Sequence, residues 1–208
     1  MQVPTVFLQA KRAGLSTAMF VGKEKFFHLL QTNALDKFDY NRSASGEVVK
    51  SDTGGTIVKK EGTVFANQVA RDAAAYIAQH QPNLCFIHFS DPDAAGHTYG
   101  WGSPEQIKAF ANTDQALEVV LKAIREAGIA DDSVVIVSAD HGGHAKGHGT
   151  RSPDDMLIPW IVWGKNVRKG LAITTPVTTC DTAATALWLL GLPLPAALDG
   201  KAVESAFD

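Results

Sequence analysis

Cysteine is almost missing from this chain. Two thiols in 208 residues, Cys85 and Cys180, cannot build a disulfide framework. Both read as small packing residues, Cys85 inside LCFIHF and Cys180 at the start of a helix, so they say nothing about redox compartment. No apolar run approaches the roughly 18 residues that would read as a membrane span. No charged-then-apolar leader precedes the first apolar stretch. An excess of base is lacking too: 19 Lys and Arg stand against 22 Asp and Glu, which argues against a non-specific grip on duplex nucleic acid. Internal repeats, low-complexity tracts and composition breaks are absent, so residues 1–208 read as a single domain.

What is present is a mixture of buried strands and amphipathic helices. Helices are expected over residues 4–13, closed by Gly14, and over 65–80, ended before Pro82. A longer one spans 103–127, with Ser103 as N-cap, Pro104 at N1 and Gly128 as the stop. The last covers 180–190, ahead of Gly191-Leu192-Pro193. Apolar strands are expected at 16–21, 84–89, 134–138, 156–163 and, shorter, 171–174; Pro159 marks the fourth as bulged or edge-lying. KEKFFHLLQ reads as a short amphipathic helix, and 55–64 as an edge strand or hairpin in a polar loop region. The 84–89 and 134–138 strands with the long helix between them predict a βαβ crossover. The fold class is α/β, a three-layer α/β/α sandwich with a mostly parallel central sheet.

Two strands run out into polar clusters, where α/β sheets place their ligands. The first is followed by DPDAAGH, holding Asp91, Asp93 and His97; the second by DHGGHAKGH, holding Asp140, His141, His144 and His148. Asp93 and His97 stand four apart around Gly96, a spacing that lets a turn or incipient helix aim both at one point. Carboxylate plus imidazole suits zinc, and would accept manganese or iron. Four of the seven histidines gather at these two strand ends, which decides for a metal site; His28 and His80 read as surface residues and His88 as a core imidazole with a hydrogen-bond partner.

DPDAAGH, then SADHGGH, then KGHGT followed by the apolar MLIPWIVWG, together resemble the alkaline phosphatase superfamily, in its type I phosphodiesterase and nucleotide pyrophosphatase branch. The resemblance implies a metal-dependent hydrolase of phosphodiesters or pyrophosphates such as nucleotides, acting on a small phosphate-ester substrate. It implies two divalent metal ions, usually zinc. Asp93, His97 and His148 match the ligands of one complete site, and Asp140 and His141 match part of a second. His144 is either a competitor of His148 or a residue behind the ligands, Asp91 a turn cap, and Tyr99, with Trp101, a candidate for contact with a nucleobase. Alternatives on the same frame are a sulfatase or phosphomutase relative, and outside enzymes a non-catalytic metal-binding module.

The family's first strand and its nucleophilic Thr or Ser fall upstream of the helix that here opens at Pro4, and Thr5 lies past the nucleophile's place. The expectation is therefore an N-terminally truncated form with no identified nucleophile and weak or no turnover. A sheet edge left open offers a route to oligomers. Because relatives in this branch are often exported, a periplasmic or extracytoplasmic location stays open.

Overall fold

The computed structural model describes residues 4–40, 48–50, 56–58 and 65–208. Strand β1 (Thr17–Val21) is central, with β2 (Lys37–Asp39) and β5 (Leu84–His88) parallel to it on either side. All five β1 residues are buried, which is why TAMFV shows no polar alternation. Ala18 and Phe20 face helix α2 (Ala66–His80), packing with Val69 and Ala73. Met19 and Val21 face the other way, toward Phe7 of α1 (Val6–Arg12) and Ala34. Each large side chain so buried contributes about 1.5–3 kcal/mol. Strand β5 divides the same way: Cys85 and Ile87 lie on the α2 side, Leu84 and Phe86 on the α1 side.

The helices end where the sequence says they should. The Thr5 hydroxyl accepts from Leu8 N to cap α1, and Gly14 turns the chain out at φ +81°. Helix α4 (Pro104–Glu126) is capped by Ser103, whose hydroxyl accepts from Gln106 N, and it lies along α2 in the main core. Helix α6 (Thr179–Leu189) opens on a reciprocal box between Thr178 and Asp181. No helix among the described residues is long and apolar enough to cross a membrane.

Helix α2 takes its N-terminal cap from far along the chain. Phe65 offers no capping side chain, and the buried Asp91 carboxylate instead accepts from Ala66 N at 2.8 Å. The sequence suggests Asp91 as a turn cap; it caps this distant helix instead. Burial pushes its carboxyl up to about 6, against the pull of that N–H. Asp91→Ala is expected to cost about 1–3 kcal/mol by stranding a buried donor, while Asp91→Asn keeps an acceptor and most of the stability. Urea unfolding at pH 7 distinguishes them, and an Asn variant as weak as Ala would show that charge matters more than the acceptor.

Three expectations are corrected. First, β5 and β6 (Val134–Ser138) share no ladder: among the described residues β6 pairs only with β7 (Trp160–Gly164), antiparallel, so the crossover does not close into one sheet. Both strands nevertheless pack on the α2 and α4 core, through Ile87 and Val135. Second, residues 156–163 are not one strand; α5 (Pro153–Met156) precedes β7, and Pro159, unable to donate to a ladder, stands just outside it. Third, residues 171–174 carry no strand. KEKFFHLLQ forms a 3-10 turn over Glu24–Leu29. The hairpin expected at 55–64 is partly present as β3 (Val48–Lys50) against β4 (Thr56–Val58), and the rest of that expectation lies outside the described residues.

Candidate metal centre

The DPDAAGH segment folds as α3 (Asp91–Tyr99), a full helix rather than a turn, so Asp93 and His97 come to one face one turn apart. Gly96 is required there: a Cβ would sit 2.8 Å from the Trp101 ring and from Gln106 Nε2. After β6, Gly142 N and Gly143 N donate to the carbonyls of Asp155 (2.8 Å) and Asp154 (2.7 Å), folding the histidine loop back on α5. Neither glycine has room for a side chain, since a Cβ would meet Asp154 O at 2.0 Å or the Trp101 indole at 2.1 Å. Residues His144 and Gly147 then exchange backbone hydrogen bonds, and Trp101 N donates to Ala145 O, tying the loop to the end of α3.

These constraints bring donors from two strand ends together. The Nε2 atoms of His97, His141 and His148 lie 3.4, 3.6 and 3.7 Å from Asp93 Oδ1. That oxygen is buried and has no hydrogen-bond partner among the described residues. The Nδ1 atoms of His97 and His141 stand 3.0 and 2.7 Å from the carbonyls of Lys146 and Gly142, which can only accept, so each Nδ1 carries the proton. In the neutral ring this aims a bare Nε2 lone pair at the Asp93 oxygen. Lone pairs converging on an orphaned carboxylate oxygen repel unless a cation lies between them, and carbonyl-oriented imidazoles of this kind are what metal-binding histidines show. Asp93, His97 and His148 each offer a ligand atom within 4.8 Å of the others. The residues present therefore fit a divalent metal.

Of the second set, Asp140 Oδ2 lies 3.7 Å from His141 Nε2, and His141 sits between the two carboxylates, stacked on His148 with ring centroids 3.6 Å apart. His144 is set apart: its Nδ1 donates to the buried Asp155 at 2.8 Å, so it braces the loop instead of competing with His148. Tyr99 is the last residue of α3 and is not one of the donors converging on Asp93. Trp101 walls the cluster, its ring 5.1 Å from that of His97 and 5.8 Å from that of His148. His88 departs from expectation, because its Nδ1 is buried without a hydrogen-bond partner among the described residues, and burial pulls its pKa down to about 4.

Two lysines complete the centre and escape a reading based on metal ligands. Lys23 bonds Asp93 Oδ2, leaving Oδ1 for the imidazoles, and Lys25 Nζ lies 2.8 Å from Asp140 Oδ2. Their signal was available: GKEK follows β1 as charged residues also follow β5 and β6. Burial works to raise the carboxyls of Asp93 and Asp140, but the hydrogen bond and charge of Lys23 and Lys25 respectively outweigh it and hold both below their ordinary value. Burial and the charge of His141 lower His148, which favours the neutral ring that can donate a lone pair.

The sequence profile of the Type I phosphodiesterase / nucleotide pyrophosphatase family matches residues 2–156. A 2,3-bisphosphoglycerate-independent phosphoglycerate mutase of Haloquadratum walsbyi is 28% identical over 200 residues, covering 92% of this chain and 38% of that protein. Among solved structures, a putative sulfatase from Bacteroides thetaiotaomicron superposes with a TM-score of 0.68 at 16% identity, over 98% of this chain and 56% of that one. A protein of the alkaline phosphatase superfamily from Vibrio parahaemolyticus gives 0.62 at 17% identity, over 92% and 48%. The chain thus spans about half or less of the length of these proteins. With its α/β fold shared by these solved structures and the profile covering well over half of the chain, this protein belongs to the type I phosphodiesterase / nucleotide pyrophosphatase family.

Proposed function

We propose that the chain carries the metal-binding and phosphate-facing half of a metal-dependent hydrolase of phosphodiesters or pyrophosphates, nucleotides included. The observation that carries this reading is the orphaned Asp93 Oδ1 ringed by three imidazole nitrogens. Asp93, His97 and His148 would hold a divalent ion, zinc by donor type, with His141 alongside. Such an ion supplies Lewis-acid polarisation of a phosphoryl oxygen. The chain's own groups do the rest. Lys23 fixes the Asp93 carboxylate so that one oxygen faces the imidazoles, the carbonyls of Lys146 and Gly142 hold two rings in the donating tautomer, and the ammonium groups of Lys23 and Lys25 offset the two carboxylates that would otherwise repel a phosphate anion.

The test is hydrolysis of bis-p-nitrophenyl phosphate by zinc-loaded protein, with p-nitrophenyl sulfate in parallel. Slow turnover of the phosphodiester, lost with chelator and restored by zinc, is the expected result. Turnover of the sulfate alone would favour a sulfatase, and bound zinc with no turnover of either would favour a non-catalytic metal-binding module. Failure to bind any divalent ion would remove the reading altogether.

A further inference from the structure

We infer that Lys25 is the second cation of this centre, so that the chain binds one divalent ion and not two. The inference rests on the proposed metal-dependent reading and assigns a role to a residue that metal-ligand motifs pass over.

A second ion would have to be held by Asp140 and His141. Those two supply only two donor atoms, and among the described residues a single group of three or more potential ligands, Asp93, His97 and His148, converges closely enough to hold an ion. Closed metal sites take four ligands and open catalytic ones three from the protein, so two donors hold an ion only weakly and lose it to a cation already in place. The place facing Asp140 is already taken, since Lys25 Nζ stands 2.8 Å from its Oδ2.

The backbone sets that ammonium there. Gly22 N donates to His88 O at 3.1 Å, so the chain stays in register with β5 one residue past the end of β1. The 3-10 turn over Glu24–Leu29 begins immediately afterward, and Lys23 and Lys25 reach across the carboxyl ends of the strands to different carboxylates. The result is a row of alternating charge, Lys23 to Asp93, His141 between the carboxylates, and Asp140 to Lys25.

Charge counting leads to the same answer. Two carboxylates and two ammonium groups cancel, and the imidazoles are neutral when they donate lone pairs. One divalent ion gives the centre two positive charges, enough to attract a phosphodiester anion. A second ion would have to displace Lys25 from Asp140 and then sit among the first ion and two ammonium groups, with only one carboxylate of its own.

The experiment is zinc stoichiometry, by calorimetric titration and by elemental analysis after gel filtration, for the unmodified chain, Lys25→Ala and Lys25→Arg. One ion per chain is expected for the unmodified protein and for Lys25→Arg, whose guanidinium keeps the positive charge on Asp140. Lys25→Ala should show a second, weaker event and reach two ions per chain at saturation. Two ions in the unmodified protein would overturn the role of Lys25 and leave the metal-dependent reading standing, as would a Lys25→Ala isotherm identical to that of the parent. No zinc in any of the three would remove both. Lys25 is half exposed, so its replacement leaves the core intact, and the unmodified chain alone can decide against the inference if Lys25→Ala fails to fold.

Discussion

Asp93→Asn should abolish metal binding while leaving the chain folded, with zinc affinity falling by more than about 100-fold, beyond the 10–100-fold that losing an outer partner of a ligand costs. The reason is local. Asp93 is the single anionic donor of the group it forms with His97 and His148, and three imidazole nitrogens face its Oδ1. An amide there is uncharged: in one orientation its NH2 meets the Lys23 ammonium donor to donor, and in the other its oxygen accepts from Lys23 while its NH2 donates to the imidazole lone pairs. In the second arrangement the variant replaces the ion by a hydrogen-bond donor, which is why the fold survives. Calorimetric titration with zinc reads the affinity and circular dichroism reads the fold. Zinc binding at parental strength in the Asn variant would mean that the ion lies elsewhere, and the convergence on Oδ1 would need a different explanation.

The legibility of this site in the sequence follows from how strongly each strand is apolar. TAMFV, LCFIH and the VVIV of VVIVS are buried or half-buried on both faces, and an apolar run giving way to Asp, His or Lys marks the carboxyl edge of a sheet without any alignment. Asp93, His97, Asp140, His141 and His148 were readable on that ground. What was hidden depends on partners far apart in the chain. Asp91 caps a helix that starts 25 residues earlier, Lys25 meets a carboxylate 115 residues later, and His144 is claimed by Asp155. The β5 to β6 crossover failed for another reason: right-handed connection rules assume the two strands share a sheet, and local periodicity cannot tell adjacency from a shared helical layer. MLIPWIVWG misled through composition, since its apolar residues begin before the strand while Pro159 fixes the true start at Trp160.

Asp155→Asn is expected to weaken zinc binding by roughly 10–100-fold without touching a metal ligand, the range seen when the groups that hold ligands in place are removed. Asp155 is buried and accepts from His144 Nδ1 at 2.8 Å and from Thr150 N and Oγ1, each at 2.7 Å, while its own carbonyl takes the Gly142 N–H. It thereby fixes both ends of the loop that carries His141 and His148. An amide can accept from Thr150 or face His144, but it carries no charge to hold the imidazolium. The pH dependence identifies the contact. The hydrogen bond from His144, with Thr150 adding to it against the cost of burial, holds the Asp155 carboxyl far below its ordinary value, and the same bond raises His144. A depressed carboxyl stabilises the fold at and above the usual carboxylate range and loses that contribution as pH falls through the folded value. A raised imidazole stabilises fully below about 6.5 and loses its contribution as pH climbs through its folded value. The metal-free parent should therefore exceed the Asn variant in melting temperature by the most between about pH 5 and 6.5, with the gap narrowing above neutrality and again in strong acid. A gap that stays constant from pH 5 to 9 would assign the role of Asp155 to its Thr150 hydrogen bonds alone.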